Sequence, residues 1–324
     1  MSVYFEIDVL EEEIIKLGNP ILAKLLIDRT TRKNIIWATS DYESIGMDYG
    51  AKCHIQTSLI TGVHSKLIRP RIAKAKEHQA NRTRDKAEVF TPSWVCNEQN
   101  NLVDEQWFNR KSVFNSGCGD RWITTKGKII FPDVKGKQWK DYVDARRMEI
   151  SCGEAPYLVS RYDTSTGEPI PLPDRIGILD RKLRVVNENT DNKEDWYKWA
   201  LRSLQSSYGY EYQGDNLLIA RENVFYTFIE NALYKFNEIP DEKMLNTAAR
   251  IISWNLWQMD GLKYTVPFGK LEESYRQLSL FDILDDIDSL EKSKSQQCKI
   301  MDWRADRSVV FASLIGGEKN GQFV

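Results

Sequence analysis

The chain has 324 residues, enough for one large domain or two small ones, and its 41% hydrophobic and 11% aromatic residues support a sizeable core. No apolar run approaches the roughly 18–20 residues of a membrane span, and the acidic N-terminus does not resemble a signal peptide, so we expect a cytoplasmic protein with no membrane partner. Five scattered cysteines without CxxC spacing and only three histidines argue against a structural zinc site or a His-rich metal centre.

Residues 1–86 form a predicted N-terminal helical and basic region. Apolar residues recur at helical spacing through residues 1–29, with a break at Gly18-Asn19-Pro20. Residues 66–86 carry eight Lys and Arg against two acids, a local net charge of +6. A solvated helix face would explain such a run, but the weak compensation favours contact with the phosphates of double-stranded DNA. The predicted DNA-binding residues are Arg69, Arg71, Lys74, Lys76, Arg82 and Arg84.

Residues 87–270 form the predicted core of an α/β protein. The core opens on Phe90-Thr91-Pro92, where Thr91 suits a helix N-cap and Pro92 the first helical position. An ordinary capped helix is the alternative to a ligand-binding role for these three residues. Residues 109–140 include a Gly-rich stretch, but no apolar strand enters it. We predict a surface loop there, followed by a small hairpin from Trp122 to Phe131.

The central stretch, residues 147–158, predicts a strand, a turn and the start of a helix. Such a turn leaves backbone N–H groups free for a polar ligand, and Glu149 could bind an amine or hydroxyl on it. The turn contains a single glycine, whereas a dinucleotide-binding fingerprint has three. An ordinary strand–turn–helix without a ligand is therefore the alternative. Downstream, 175–182 is predicted as a strand ending in an acid, and 210–219 as a Gly-Asp turn. Three acidic strand ends in series indicate a nucleoside-like ligand across the carboxyl edge of a doubly wound sheet.

The remaining elements are mostly helical. Helices are predicted over 195–206, 222–236 and 244–252, and a polar, proline-rich loop over 163–174. Residues 271–324 form a predicted C-terminal region that begins as an acidic amphipathic tail, continues as a flexible linker and ends in a strand near 308–312.

The sequence resembles the bacterial DNA adenine-N6 methyltransferases of restriction–modification systems, in particular the stand-alone proteins known as restriction endonuclease subunit M. Four features carry the resemblance: Glu-Val-Phe-Thr-Pro-x-Trp at 88–94, an acid-x-x-Cys-Gly turn at 149–153, the predicted acid-ending strand at 175–182 and Gly-Asp-Asn-Leu at 214–217. The resemblance implies a class I methyltransferase-like (Rossmann-like) α/β sheet with N- and C-terminal additions. It also implies S-adenosylmethionine as cofactor, DNA as substrate, and a restriction or specificity subunit as a further partner.

The same resemblance implies a cofactor site. Its residues, grouped by the part of S-adenosylmethionine they would contact, are Phe90, Thr91 and Pro92 along the wall, Glu149, Cys152 and Gly153 under the methionine moiety, Asp180 at the ribose hydroxyls, and Asp215 at the adenine amine.

Two departures from the family pattern affect the expected chemistry. The turn lacks the family's second glycine, and the Asn/Asp-Pro-Pro-Tyr/Phe tetrapeptide, which holds and stacks on the flipped base, is absent. The nearest candidate is Asn255, an amide acceptor flanked by Trp254 and Trp257, with a buried helix end as the alternative reading.

Three functions therefore stay open at the sequence level. The first is methyl transfer from S-adenosylmethionine to adenine N6 in DNA. The second is a catalytically degenerate methyltransferase fold that acts as a DNA-binding or interaction subunit in phage defence or counter-defence. The third is a nuclease that binds Mg²⁺ through Glu149, Asp180 and Asp215, although the sequence has no convincing Asp…Glu-x-Lys arrangement.

Overall fold

The computed structural model describes residues 7–18, 20–74, 91–269 and 296–315. The α-helices within these ranges are α1 (Glu11–Lys16), α2 (Ile21–Leu26), α3 (Thr57–Ile60), α4 (Ser93–Phe108), α5 (Trp139–Asp144), α6 (Ile178–Asn189), α7 (Lys193–Gln205), α8 (Gly214–Phe236), α9 (Glu242–Asn255) and α10 (Ala312–Ile315). Short 3₁₀ helices cover Glu43–Ile45, Met47–Tyr49, Gly62–His64, Arg71–Ala73 and Leu172–Asp174.

The strands form one parallel sheet and two hairpins. The strands are β1 (Asn115–Cys118), β2 (Arg121–Thr124), β3 (Arg147–Glu149), β4 (Ser207–Glu211), β5 (Leu256–Gln258), β6 (Lys299–Asp302) and β7 (Arg307–Val310). The parallel sheet has the order β3-β4-β5, with Glu149 opposite Gly209 and Glu211 opposite Gln258. The pairs β1-β2 and β6-β7 are antiparallel. Helices connect the parallel strands, so the described part of the chain is a mixed α/β structure.

Helix α8 lies at the centre of the molecule. It is buried on all sides from Gly214 to Ala232, and it contacts α2, α6, α9, β4 and β5. Its apolar residues therefore face several elements at once, as expected for a helix that is hydrophobic around most of its circumference. The buried cluster around α8 also includes α1 and α2, whose Ile14, Ile21 and Leu25 are fully buried.

A second apolar cluster anchors the C-terminal hairpin. The rings of Tyr210 and Phe311 pack against Trp257, with centroid distances of 5.7 and 5.1 Å. Cys298 and Ile300 of the hairpin region belong to the same buried cluster. The hairpin is thus attached to the parallel sheet through β5.

Several predicted elements are found at the predicted positions and others are not. The helices predicted at 195–206 and 244–252 are α7 and α9, and the strand predicted near 308–312 is β7. The predicted strand at 175–182 is wrong, because Ile178 begins α6. The predicted hairpin at 122–131 is also wrong, because the observed β1-β2 pair ends at Thr124. Residues 34–39, whose apolar run Ile35-Ile36-Trp37 is typical of a strand, form only isolated bridges.

The predicted domain boundaries are not tested by this arrangement. The boundaries at 86/87 and 270/271 lie outside the described residues. Within the described ranges, α1 and α2 share one buried cluster with α8 and α9, so the N-terminal region and the predicted core bury apolar surface together.

No helix within the described residues is both long enough and apolar enough to cross a membrane.

Candidate functional site

The carboxyl edge of the parallel sheet brings acidic side chains together. Strands β3 and β4 end at Glu149 and Glu211, and Asp260 follows two residues after the end of β5. Glu149 and Glu211 are almost fully buried, and the charge of Glu211 is among the influences that raise the pKa of Glu149. Ligands of α/β proteins bind in the crevice outside the carboxyl ends of such strands.

The turn after β3 has an unusual backbone. Ser151, Gly153 and Ala155 have φ values of 47°, 53° and 66°. Positive φ costs on the order of 1–3 kcal/mol at a non-glycine residue and tends to occur at functional sites. The helix predicted after this turn does not form, because residues 155–177 run as turns and a 3₁₀ segment before Ile178 begins α6.

Buried carboxylates fix the shape of this turn. Glu149 accepts hydrogen bonds from the backbone N–H groups of Tyr157 and Leu158, at 3.2 and 3.0 Å. Glu211 accepts from the N–H of Gly153 at 2.9 Å and of Gln213 at 3.1 Å. Two strand ends are therefore joined through the turn by Glu211.

Burial dominates the electrostatics of both carboxyl groups. It raises the pKa of Glu149 to about 8, against the lowering effect of the two N–H donors. It also raises the pKa of Glu211, again against hydrogen bonds from the backbone. The thiol of Cys152 is buried and its pKa is raised for the same reason, so this cysteine is a packing residue and not a reactive thiolate.

Asp180 does not lie at a strand end. It lies in the first turn of α6, where its Oδ2 accepts from the N–H and the hydroxyl of Ser160 and from the N–H of Gly177. It also lines a separate cavity of about 620 Å³ beside the β1-β2 hairpin. The expectation that Asp180 ends the second strand is wrong, because the second strand of the sheet is β4 and ends at Glu211.

Asp215 does not lie at a strand end either, and its carboxylate binds other side chains. It lies in the first turn of α8, fully buried, and its Oδ2 accepts from the Tyr42 hydroxyl at 2.8 Å and from Lys74 Nζ at 3.2 Å. The Gly-Asp segment predicted as a turn at a strand end is thus the start of a helix. Asp260 is the acid that follows the third parallel strand, and it accepts from the N–H groups of Leu262 and Lys263.

Thr91 and Pro92 lie beside the central turn. Pro92 occupies the N-cap position of α4, and Asp163 accepts the N–H of Ser93 at 2.8 Å. Thr91 interacts with the hydroxyl of Tyr157, a residue whose N–H is bound by Glu149. The structure therefore brings these two predicted site residues near the turn, whereas Phe90 lies outside the described residues.

The three predicted catalytic residues lie away from this edge. Asn255 ends α9 just before β5, and its amide donates to the carbonyls of Leu204 and Ser207 while its oxygen accepts from Trp303 Nε1. Trp254 precedes the start of the same strand, and Trp257 is buried in the second apolar cluster. The amide of Asn255 has no free hydrogen-bonding capacity directed at the carboxyl edge, and the geometry argues against the catalytic reading.

The predicted DNA-binding segment is described only in part. Lys76, Arg82 and Arg84 lie outside the described residues. Lys74 is paired with buried Asp215, and the backbone N–H of Arg71 donates to Glu154 at 2.6 Å. Arg69 is half-buried and its Nε donates to the Lys66 carbonyl. The first part of the segment therefore packs on the core, and DNA contact by the rest stays a prediction.

The three acids of the nuclease alternative do not form one group. Glu149, Asp180 and Asp215 each bind different backbone or side-chain donors in different elements. Among the residues that the structure describes, no group of three His, Cys, Asp or Glu side chains is arranged to hold a metal ion.

Sequence reasoning missed Glu211 and Asp260. Glu211 ends a five-residue segment between two recognisable helices, and Asp260 comes shortly after the helix at 242–255. The available signal was an acid at the end of, or shortly after, each short segment that follows a predicted helix.

Comparison with known proteins adds no relative: no family model, no curated protein and no solved structure matches the chain.

Proposed function

We propose that the chain binds S-adenosylmethionine at the carboxyl edge of the β3-β4-β5 sheet, as a class I methyltransferase-like protein. The observation that carries the proposal is the contact between Glu211 and Gly153. The acid that ends the second parallel strand lies 2.9 Å from the backbone of the turn that follows the first. In nucleoside-binding α/β folds an acid at this position binds the ribose hydroxyls.

The residues at the edge fit the parts of this cofactor. Glu211 is the acceptor for ribose hydroxyls, and the strained turn at Ser151–Ala155 offers backbone close to the methionine moiety. Asp260 replaces Asp215 as the acceptor for the adenine amine, because Asp260 follows the third parallel strand and its side chain is partly exposed, whereas Asp215 is fully buried. Thr91 and Pro92 keep their proposed place along the wall, next to Tyr157.

The reaction we propose is methyl transfer to adenine N6 in double-stranded DNA. S-adenosylmethionine supplies the electrophilic methyl group when bound, and the protein has to hold the cofactor and the target amine in line. The alternative is a fold that keeps the cofactor pocket but serves as a DNA-binding or interaction subunit in phage defence or counter-defence. Two observations favour this alternative: the side-chain amide of Asn255 is hydrogen-bonded within the fold, and the sequence lacks the Asn/Asp-Pro-Pro-Tyr/Phe tetrapeptide.

Calorimetric titration with S-adenosylmethionine tests the binding step. Wild type should bind saturably, and Glu211→Ala should bind about 10- to 100-fold more weakly, since hydrogen bonds to charged groups contribute about 1.5–3 kcal/mol. Glu211→Gln, which keeps one acceptor oxygen, should fall between the two. Glu238→Ala is the matched control, because this acid is exposed and distant from the sheet edge.

Circular dichroism of each variant shows whether the fold survives. Equal affinity of wild type and a folded Glu211→Ala would remove the proposed site. Transfer of a labelled methyl group to duplex DNA then separates the two functions. Transfer supports the enzyme, and cofactor binding without transfer, with or without an added partner subunit, supports the degenerate fold.

A further inference from the structure

A concave basic surface lies beside the junction of α9 and β5. The cleft has a volume of about 440 Å³ and is lined by Arg29, Thr30, Arg32, Trp254, Lys299 and Ser308. Trp254 comes two residues before β5 begins, and Lys299 is the first residue of β6. We refer to this surface as the Trp254 cleft.

All charged residues that line the Trp254 cleft are positive. Its lining includes two arginines and a lysine and no acidic residue. Arg32 and Lys299 are exposed, and within the described residues neither makes an ion pair. Asp28, which precedes Arg29 in the sequence, is buried, and its carboxylate accepts hydrogen bonds from the backbone N–H groups of Thr30 and Thr31.

A fourth cation, Arg250, lies next to the cleft. Burial lowers the pKa of Arg29, and the positive charge of exposed Arg250 lowers it further, while Asp28 acts in the opposite direction. Several like charges held this close together repel one another in the free protein. An anionic ligand would relieve the repulsion.

Aromatic rings alternate with these cations. The guanidinium of Arg29 lies 5.8 Å from the ring centroid of Trp254, and that of Arg250 lies 5.4 Å from the ring of Trp303. The Nε of Arg29 also donates to Ser253 Oγ at 2.8 Å. These contacts hold the guanidinium groups in place, so less side-chain entropy is lost when an anion binds.

We propose that the Trp254 cleft binds the phosphodiester backbone of a nucleic acid strand. Several cations from separate chain segments, with no acid in the cleft lining, match a row of phosphates better than one small anion. The two arginine–tryptophan pairs add surfaces against which sugars and bases can pack. This inference goes beyond the proposed cofactor site and does not depend on it, because no residue that lines the cleft belongs to that site.

The test is the salt dependence of nucleic-acid binding by the double variant Arg32→Ala/Lys299→Ala. Both side chains are exposed, so the fold should be retained. Dissociation constants for a fluorescent duplex and for its single strand are measured over a range of salt concentrations. Loss of two phosphate contacts should weaken binding and reduce the slope of log affinity against log salt by about 1.8 for the duplex or about 1.4 for the single strand.

The matched control is Lys126→Ala/Lys135→Ala, which removes the same charge from exposed positions elsewhere. This control should keep most of the wild-type slope. The proposal is overturned if Arg32→Ala/Lys299→Ala binds like the wild type, or if both double variants lose the same affinity. A nucleoside monophosphate that binds as tightly as the strand would also overturn it, since the cleft would then be a site for free nucleotides.

Discussion

At the residue scale, Gly214 shows how closely the N-terminal region is fitted to the central helix. Its N–H donates to the carbonyl of Trp37 at 2.9 Å. A Cβ at this position would lie 2.0 Å from the carbonyl oxygen of Ile36, far inside van der Waals contact. Because the obstacle is backbone, a rotamer change cannot relieve it, and the loop or the helix would have to move.

We expect Gly214→Ala to lower the free energy of unfolding by on the order of 1–3 kcal/mol, the usual cost of overpacking. Urea or thermal denaturation measures this loss. Gly117→Ala is the control, since a Cβ there meets nothing within 4 Å. Equal midpoints for the two variants would mean that the segment around Ile36 yields freely.

At the element scale, helix α1 docks on α8 through two buried acids. Glu11 of α1 and Glu222 of α8 are 1% and 3% exposed. Among the residues that the structure describes, no group forms a hydrogen bond with either carboxylate oxygen of Glu11 or with Oε1 of Glu222. The pKa of Glu11 is raised from 4.5 to about 8, mainly by burial and with smaller contributions from the charges of Glu12 and Asp8, against the lowering effect of the Glu11 backbone N–H. Burial and the charge of Glu11 raise the pKa of Glu222, against the effect of Arg161.

The docking of α1 should therefore weaken as pH rises. Between about pH 4.5 and about pH 8 the folded chain keeps a proton on Glu11 that the unfolded chain releases, so the free energy of unfolding falls through this window. Glu11→Gln removes the ionisation and should gain stability over wild type at about pH 8 but not at about pH 5. Each unit of pKa shift corresponds to about 1.36 kcal/mol.

Urea unfolding at several pH values measures this difference. Glu13→Gln is the control on the same helix, since Glu13 is exposed and paired with Lys16. If the Glu11→Gln and wild-type curves stay parallel across the pH range, the buried acids of α1 do not titrate on unfolding.

The elements also show what the sequence could and could not predict. Helices α7 and α9 were predictable because their apolar residues recur at helical spacing. The short apolar run at 176–179 led to the prediction of a strand, but it includes the start of helix α6. The buried positions Leu179, Leu183 and Val186 continue at helical spacing and identify α6 only when a longer window is read.

Strand β4 was harder to predict. Its sequence, Ser-Tyr-Gly-Tyr-Glu, contains no β-branched residue, and four of its five residues are buried. It becomes a strand because α7, α8 and α9 surround it and β3 and β5 pair with it. The central turn at 149–153 was found from the sequence, but its acidic partner Glu211 depends on this tertiary context.

At the scale of the whole molecule, Asn255 joins three parts of the chain. Its amide donates to the carbonyls of Leu204 and Ser207 at 2.8 and 3.0 Å, across the junction of α7 and β4. Its oxygen accepts from Trp303 Nε1 at 2.7 Å, next to the C-terminal hairpin. All of these groups are at least partly buried, so water cannot fully replace a lost bond.

A structural Asn255 and a catalytic one predict different results for Asn255→Ala. Loss of the buried amide should lower the free energy of unfolding by on the order of 1–3 kcal/mol, measured by urea denaturation. Asn255→Asp should cost at least as much, because a carboxylate oxygen would face two carbonyls. Asn246→Ala is the control, an amide near the surface of the same helix. A folded Asn255→Ala of wild-type stability that binds S-adenosylmethionine but no longer methylates DNA would instead restore the catalytic role, since only the chemical step would then depend on the amide.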